Sequence, residues 1–404
     1  MRNNSGNEMH KRIIALLCTL LFSSFYIFNL NTSGSFIMAA IVVVMLLVTA
    51  IYQHGKIKFT LNRFYIYTFL FSVFCLASSL WAVIPSFSIE KGITIIEISL
   101  CMLAVDTSLK PFKDSTIIVL KSIFWGSTIV VIYTIARYGI QRILIILRNA
   151  DRLANDYTNI NSIGMAAAIS IVICVTFILN EGFKLYNLFL IPAIVLVAGS
   201  GSKKALFIVF VGVIMTFLFK DITNLNFSRI IKGLLGGALI AVVLFYVMKN
   251  VSIFAGTMNR LDGFFNAITG SGGDSSSIKR LRYIEIGLEQ FYKTPILGIG
   301  IGNARTLTAE GVYLHNNFIE LLAGGGILGF ILYYISYYYE IVNMWKYRRR
   351  WRAYSSVLFI LCILLLLLDF GAVSYYSKIH YFYFMVIYME LTHVKFKGYD
   401  NDYI

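Results

Sequence analysis

SSSIKRLRYIEIGLEQFYKTPILGIGIGNARTLTAEGVYLHNNFIELLAGGGILGF runs from Ser275 to Phe330. It opens as the only long polar excursion in an otherwise apolar chain and ends by entering a hydrophobic helix. Lys279, Arg280, Arg282, Lys293 and Arg305 are packed into it together with one histidine, His315. So many cations next to so apolar a run suit the rim of a membrane-embedded helical array. The composition on either side agrees with that setting.

Of 404 residues, 58% are hydrophobic and only 14% charged, and the mean hydropathy is +0.75. Soluble domains carry roughly 25% charged residues, so this chain lacks the charge to cover a globular surface. Apolar runs near 20 residues recur throughout, each long enough to cross a ~30 Å hydrocarbon layer. The reading is an all-α, polytopic integral membrane protein, a single membrane domain over 1–404. About twelve transmembrane helices fall near 12–30, 34–53, 62–82, 91–109, 116–137, 161–180, 184–199, 203–220, 230–249, 315–341, 354–372 and 375–392. Cys18, Cys75, Cys101, Cys174 and Cys362 all lie inside such runs, as small packing residues with no disulfide or zinc spacing. Lys11 and Arg12 precede the first run, but no cleavage site follows it, so it is expected to be retained.

The formal net charge of +15 first suggests nucleic acid, but its distribution points to topology instead. With both termini in the cytoplasm, 20 of the 35 Lys and Arg face inward, led by KYRRRWR at 346–352. The other 15 cluster on the outer side: Arg137, Arg142, Arg148 and Arg152 after the fifth span, Lys203 and Lys204 at the mouth of the eighth, and seven between Lys249 and Arg305. Lys91 and Lys378 stand apart. Insertion disfavours outer cations, so their clustering argues for an anionic ligand handled there.

The segment 250–314, between the ninth and tenth spans, is far longer than an ordinary connection. Gly270, Gly272, Gly273 and Ser275 to Ser277 form a flexible stretch in this reading. An amphipathic helix then carries Ile278, Leu281, Ile284, Leu288, Phe291 and Tyr292 on one stripe, suited to a membrane surface. Gly298, Gly300 and Gly302 are not a dinucleotide fingerprint, since no strand precedes them; they fit a tight turn. His315 sits where the loop meets the tenth span. A helix amino terminus there would keep the imidazole neutral, as a general base requires. Asn316 and Glu320 share a helix face and suit orientation of a sugar or of the ring. Gly324 to Gly326 would let a neighbouring helix approach. Lys203 and Lys204 join ammonium groups to the free N–H groups of a helix start, a fit for phosphate. Asn159, Asn161 and Ser162 lie at another helix entrance, where capping and sugar binding both suit them. Asp262 and Asp274 are isolated, so Arg and Lys, with no metal or other cofactor, would have to neutralise a phosphate.

Four motifs in order carry a resemblance: Asn159 to Gly164, Gly201 to Leu206, Arg280 to Leu288 with Pro295 to Asn303, and His315 to Gly329. Together they resemble the O-antigen polymerase and O-antigen ligase superfamily. The resemblance implies a glycosyltransferase of the bacterial inner membrane acting at the outer face on undecaprenyl-diphosphate-linked glycans. It implies catalytic roles for Arg280 and His315. Lys203 stands where the family usually has arginine, which keeps the charge but loses bidentate phosphate binding. Diphosphate or substrate contacts are expected from Lys203, Lys204, Arg282, Arg152, Asn161, Asn316 and Arg305. A polymerase, transferring the glycan to another lipid-linked repeat, is favoured over a ligase acting on lipid A core. A chain-length regulator is a further expected partner, and nucleic acid is not. A flippase of the same lipid-linked sugars is the reading from another class. It would place ionisable groups near the midplane, as Glu97, Asp106 and Asp369 stand, and would usually show related halves.

Overall fold

The computed structural model describes all residues except 1, 29–32, 150, 152, 154–158, 221–226, 252–255, 257, 260–261, 264–265, 267–268, 270–274, 353 and 397–404. Arg152, the glycines at 270, 272 and 273, and Asp274 therefore lie outside the described residues. The described chain is helical, with no strand among its described residues. In hydrocarbon, a helix satisfies its own backbone groups, which is why apolar runs of this length fold this way.

The helices used below are α1 (Arg2–Ile27), α2 (Ser33–Tyr52), α3 (Arg63–Ala77), α4 (Pro85–Leu109), α5 (Ser115–Tyr138) and α6 (Ile140–Arg148). After them come α7 (Ile160–Glu181), α8 (Leu190–Ser200), α9 (Lys203–Phe219), α10 (Phe227–Asn250) and α11 (Ser275–Lys293). The chain continues through α12 (Asn317–Lys346), α13 (Ser355–Leu368) and α14 (Lys378–Phe396). Among the described residues, seven helices are long and apolar enough to cross a membrane, starting at Gly6, Gly34, Arg63, Pro85, Ser115, Ile160 and Asn317. Shorter apolar helices cover Leu185–Ser200 and Ser355–Leu368. This is a polytopic α-helical membrane protein.

One continuous core joins α1, α3 to α5, α7 to α9 and α12 to α14. Aromatic rings such as Phe22, Phe64, Phe71, Phe124 and Tyr337 lie fully inside it. Polar contacts sort the cations between its two ends. At one end, Arg352 bonds Glu390, the Lys113 carbonyl and Thr116, Lys11 pairs with Asp114, and Tyr354 and Lys184 bond Glu181. The opposite end carries Lys91, Lys203, Lys204, Arg280, Arg305 and His315.

At that second end α12 is interrupted. Gly326 adopts φ 59°, ψ −164°, a conformation that breaks the helix. Sequence suggested that the 324–326 glycines admit a neighbouring helix; a loop fills the place instead. Ile299 N donates to Ala323 O at 3.1 Å, and Ile327 N and Leu328 N donate to the Pro295 and Ile296 carbonyls at 2.8 and 3.3 Å. Backbone packs on backbone here. A Cβ on Gly326 would lie 2.3 Å from the Ile296 carbonyl, and one on Gly298 2.4 Å from that of Gly324. The turn between α3 and α4 grips the loop's other side. Ser78 Oγ accepts from Ile301 N, Asn303 Oδ1 from Ile84 N, and Ser88 Oγ donates to Ile301 O, at 2.7–3.1 Å. Gly298, Gly300 and Gly302 all have positive φ, as the tight turn required. Backbone groups freed by the break, among them the Ala323 carbonyl and the Ile327 and Leu328 N–H groups, thus find partners inside the protein, the condition under which non-helical backbone survives in such a fold.

Candidate active site

α11 packs on the start of α12 through Gly287, where a Cβ would sit 2.3 Å from Ile319 Cγ2. Its buried residues are Ser277, Tyr283 and Gly287, so this side meets the protein and much of the apolar stripe read in the sequence faces outward. Ile278, Leu281 and Tyr292, expected in one apolar face, are 50%, 40% and 76% exposed. The small residue at 287, rather than the bulky ones beside it, sets the close approach. Glu310 staples α11 from the far side, accepting from Lys279 at 3.0 Å and Tyr283 Oη at 2.9 Å. Those hydrogen bonds, Lys279's first, hold the Glu310 carboxyl below its usual range.

Lys203 is the first residue of α9. Its Nζ donates to Ser277 Oγ at 3.0 Å, which ties α9 to the first turn of α11. Arg280 lies three residues on, on the same face of α11 as Ser277. The cap of α9 is Ser202, whose Oγ accepts from Ala205 N at 3.4 Å. Lys204, 100° around α9 from Lys203, lies over Gly371, where an added Cβ would meet its Cε at 3.3 Å.

The 369–375 turn beneath Lys204 is fixed by Asn317. Its Oδ1 accepts from Ser374 N and Tyr375 N at 2.9 and 3.1 Å, and its own N–H donates to Asp369 O at 2.8 Å. The buried Asp369 carboxylate accepts from Ser374 Oγ, Tyr334 Oη and Asn317 Nδ2 at 2.5, 2.9 and 3.2 Å. Two residues before Asn317 stands His315.

His315 has φ 59°, a left-handed backbone unusual outside glycine. Its neighbours impose this. Glu320 Oε2 accepts from Leu314 N at 2.8 Å. Asn316, the cap of α12, accepts from Ile319 N at 3.1 Å and donates to Phe370 O at 3.3 Å. Asn316 and Glu320, expected to orient a sugar or the ring, spend these polar atoms on backbone to either side of His315. They shape the bend that aims the imidazole.

The ring lies 4.3 Å from that of Tyr313 and, nearly parallel, 6.2 Å from that of Tyr283. Burial first, then Arg280 and Lys204, push the His315 pKa down to about 4. The imidazole is therefore neutral at pH 7. The cause differs from the expected helix dipole, since His315 precedes the cap and stands outside the helix. Burial also raises the Tyr313 hydroxyl.

The structure thus gathers Arg280, Lys203, Lys204, His315 and Asn316. It does not bring Arg282 among them: it is exposed, on the far side of α11 from Arg280. Asn161 lies at the start of α7, where Asn159 Oδ1 accepts from Asn161 N and Ser162 N. That start abuts Ser200 at the end of α8, 2.3 Å from a Cβ built on Gly164, so the first and second motifs are neighbours. Arg305 belongs to a separate group, its guanidinium 4.7 Å from the Phe87 ring centroid. Lys91, which seemed isolated in the sequence, joins it. Lys91 bonds Glu90 at 2.8 Å, lies 4.2 Å from the Tyr376 ring centroid and touches Gly302. Glu90 and Glu320 both fall within the field of Arg305, so this second group is nearly charge-balanced. In the first group a nearby carboxylate is Asp369, which accepts three hydrogen bonds. Among the described residues, no three His, Cys, Asp or Glu side chains gather as a metal site.

Sequence reasoning missed Tyr313, Tyr283 and Lys91. Tyr313 was findable, since residues two apart in an extended segment face the same way. Nothing in the sequence joins Lys91 to Arg305.

Fold and site together define a class: a polytopic helical membrane protein that gathers several cations around one neutral histidine at one end of its array. Residues 187–334 match the family model described as O-Antigen ligase, so this part of the chain is similar to that family. The match spans Lys203, Lys204, Arg280 and His315, and it supports a membrane glycan function of ligase or polymerase type. No curated protein matches the chain.

Proposed function

We propose that this protein is a membrane glycan polymerase that transfers an undecaprenyl-diphosphate-linked oligosaccharide onto a second lipid-linked repeat. The observation that carries the reading is a neutral His315 set beside Arg280 and Lys204. In the transfer, the donor's anomeric carbon–oxygen bond to the diphosphate breaks as the acceptor oxygen attacks. The acceptor hydroxyl's proton passes to His315. The bonding pair leaves with the diphosphate, whose charge Arg280 and Lys204 balance. A diphosphate is a good leaving group, so no general acid is needed.

The two cations have a second effect. After burial, they are what lowers the pKa of the free imidazole, and a bound diphosphate would neutralise them. The imidazole then becomes a stronger base when donor is present. Lys203, bonded to Ser277, positions α11 and hence Arg280. Direct displacement inverts the anomeric centre, and retention of configuration would refute it. The site faces the outside of the inner membrane in this proposal, with both termini in the cytoplasm. Labelling of His315 from the cytosol would overturn that orientation.

A ligase acting on lipid A core is the second reading, favoured by the description of the matched family. Loss of a polymerase leaves single-repeat caps on lipopolysaccharide, and loss of a ligase leaves none. The site is tested with Arg280→Ala and with His315→Asn, since asparagine tolerates the φ of 59°. A full polysaccharide ladder from both variants at normal protein level would remove the assignment.

A further inference from the structure

A groove of about 280 Å³ lies between α1 and α5, at the end of the array opposite His315. It extends from Glu8 to Thr19 on α1 and from Asp114 to Trp125 on α5. Each stretch advances eleven residue steps, about 16 Å at 1.5 Å per residue. Its mouth is charged, with Lys11, Arg12, Lys121, Glu8 and Asp114. Its deeper half is apolar, with Leu16 58% and Trp125 40% exposed along it. The helices seal its floor. Ser122 Oγ donates to Ala15 O at 3.0 Å, and a Cβ on Gly126 would lie 2.9 Å from Thr19 O.

The charges at the mouth are not all available. Lys11 pairs with Asp114 at 2.5 Å. Among the described residues, Arg12 and Lys121 have no ion pair, and one carboxylate, Glu8, faces them. Glu181, which Lys121 also senses, is already bonded to Lys184 and Tyr354. A polar mouth holding two unpaired cations, continued by an apolar trough toward the middle of the helices, has the shape of an amphiphile with an anionic head. Basic groups of the same end, including Arg348, Arg349 and Arg350, would favour an anionic leaflet. A water-soluble peptide has no reason to occupy the apolar half.

We propose that this groove binds one anionic phospholipid, its phosphate between Arg12 and Lys121 and an acyl chain along Leu16 and Trp125. The test offers full-length purified protein equal amounts of phosphatidylglycerol and phosphatidylcholine, then counts retained lipid by native mass spectrometry. Wild type should retain phosphatidylglycerol in preference. Arg12→Gln with Lys121→Gln should lower that retention roughly 30-fold, and Glu8→Gln should raise it. Glu8→Gln keeps the test decisive if the double variant folds poorly. Equal retention of the two lipids, unchanged retention in the double variant, a fall in Glu8→Gln, or displacement by inorganic phosphate would each overturn the proposal.

Discussion

Glu320 never reaches the reacting atoms, yet its removal should cost most of the activity. Its carboxylate holds the N–H of Leu314, a residue with no solvent exposure, at 2.8 Å. The next residue, His315, sits at φ 59°, where a non-glycine backbone is disfavoured by roughly 1–2 kcal/mol. Leaving a buried N–H unsatisfied costs about 1–3 kcal/mol. The two figures are of similar size, so without Glu320 the bend that aims the imidazole loses its margin. Glu320→Ala should lower the turnover rate of lengthening by roughly 5- to 150-fold, with little change in the KM for the lipid-linked donor. Glu320→Gln, which keeps an acceptor oxygen, should recover most of the loss. In a His315→Asn background Glu320→Ala should cost nothing further. The assay is extension of a lipid-linked repeat by purified protein. Equal defects in the Ala and Gln variants, or a full additional loss in the His315→Asn background, would refute the reasoning.

Three further outcomes follow from the same contacts. The His315 pKa of about 4 places the acid limb of kcat/KM near that pH, with activity falling as pH drops through it; Arg280→Gln removes one depressing cation and should move the limb upward, as a pH–rate profile of residual activity would reveal. Gly326→Ala forces a side chain into a φ of 59°, ψ of −164° and against the Ile296 carbonyl, so the backbone alone costs roughly 1–3 kcal/mol, read as a lower unfolding midpoint in detergent. Arg352→Met strands the fully buried Glu390 carboxylate, a loss of roughly 3–5 kcal/mol visible in the same melt, and a wild-type midpoint would contradict the role of that pair.

The helices were legible because hydrocarbon leaves the backbone few other options, and each apolar run read from the sequence coincides with a helix or helical stretch. The gathering of Arg280, Lys203, Lys204 and His315 at one end of the array could be expected from the clustering of cations along the sequence. What escaped was which residues make the close contacts. The face of α11 follows Gly287 rather than its leucines and isoleucines, because close approach depends on the smallest residue present. The break at Gly326 was hidden because a glycine in an apolar run reads equally as a packing site. Asn316 and Glu320 looked like ligand contacts, and only coordinates reveal that their hydrogen bonds go to nearby main chain. Arg305 was grouped with the other cations on sequence proximity, whereas Glu90 and Lys91, from a distant helix, set its surroundings.

The wedge formed by residues 295–303 has a consequence for assembly. Its hydrogen-bond partners at the α3–α4 turn lie 213 to 223 residues earlier in the chain, and its remaining partners, in α12, are synthesised after it. Lys204 meets the turn at Gly371 later still. A nascent chain therefore carries its cations through insertion as separate pieces and completes their arrangement among its final helices. Truncation between α12 and α13 yields a protein that keeps every basic residue of the cluster but lacks the 369–375 turn against which Lys204 and Asn317 are set.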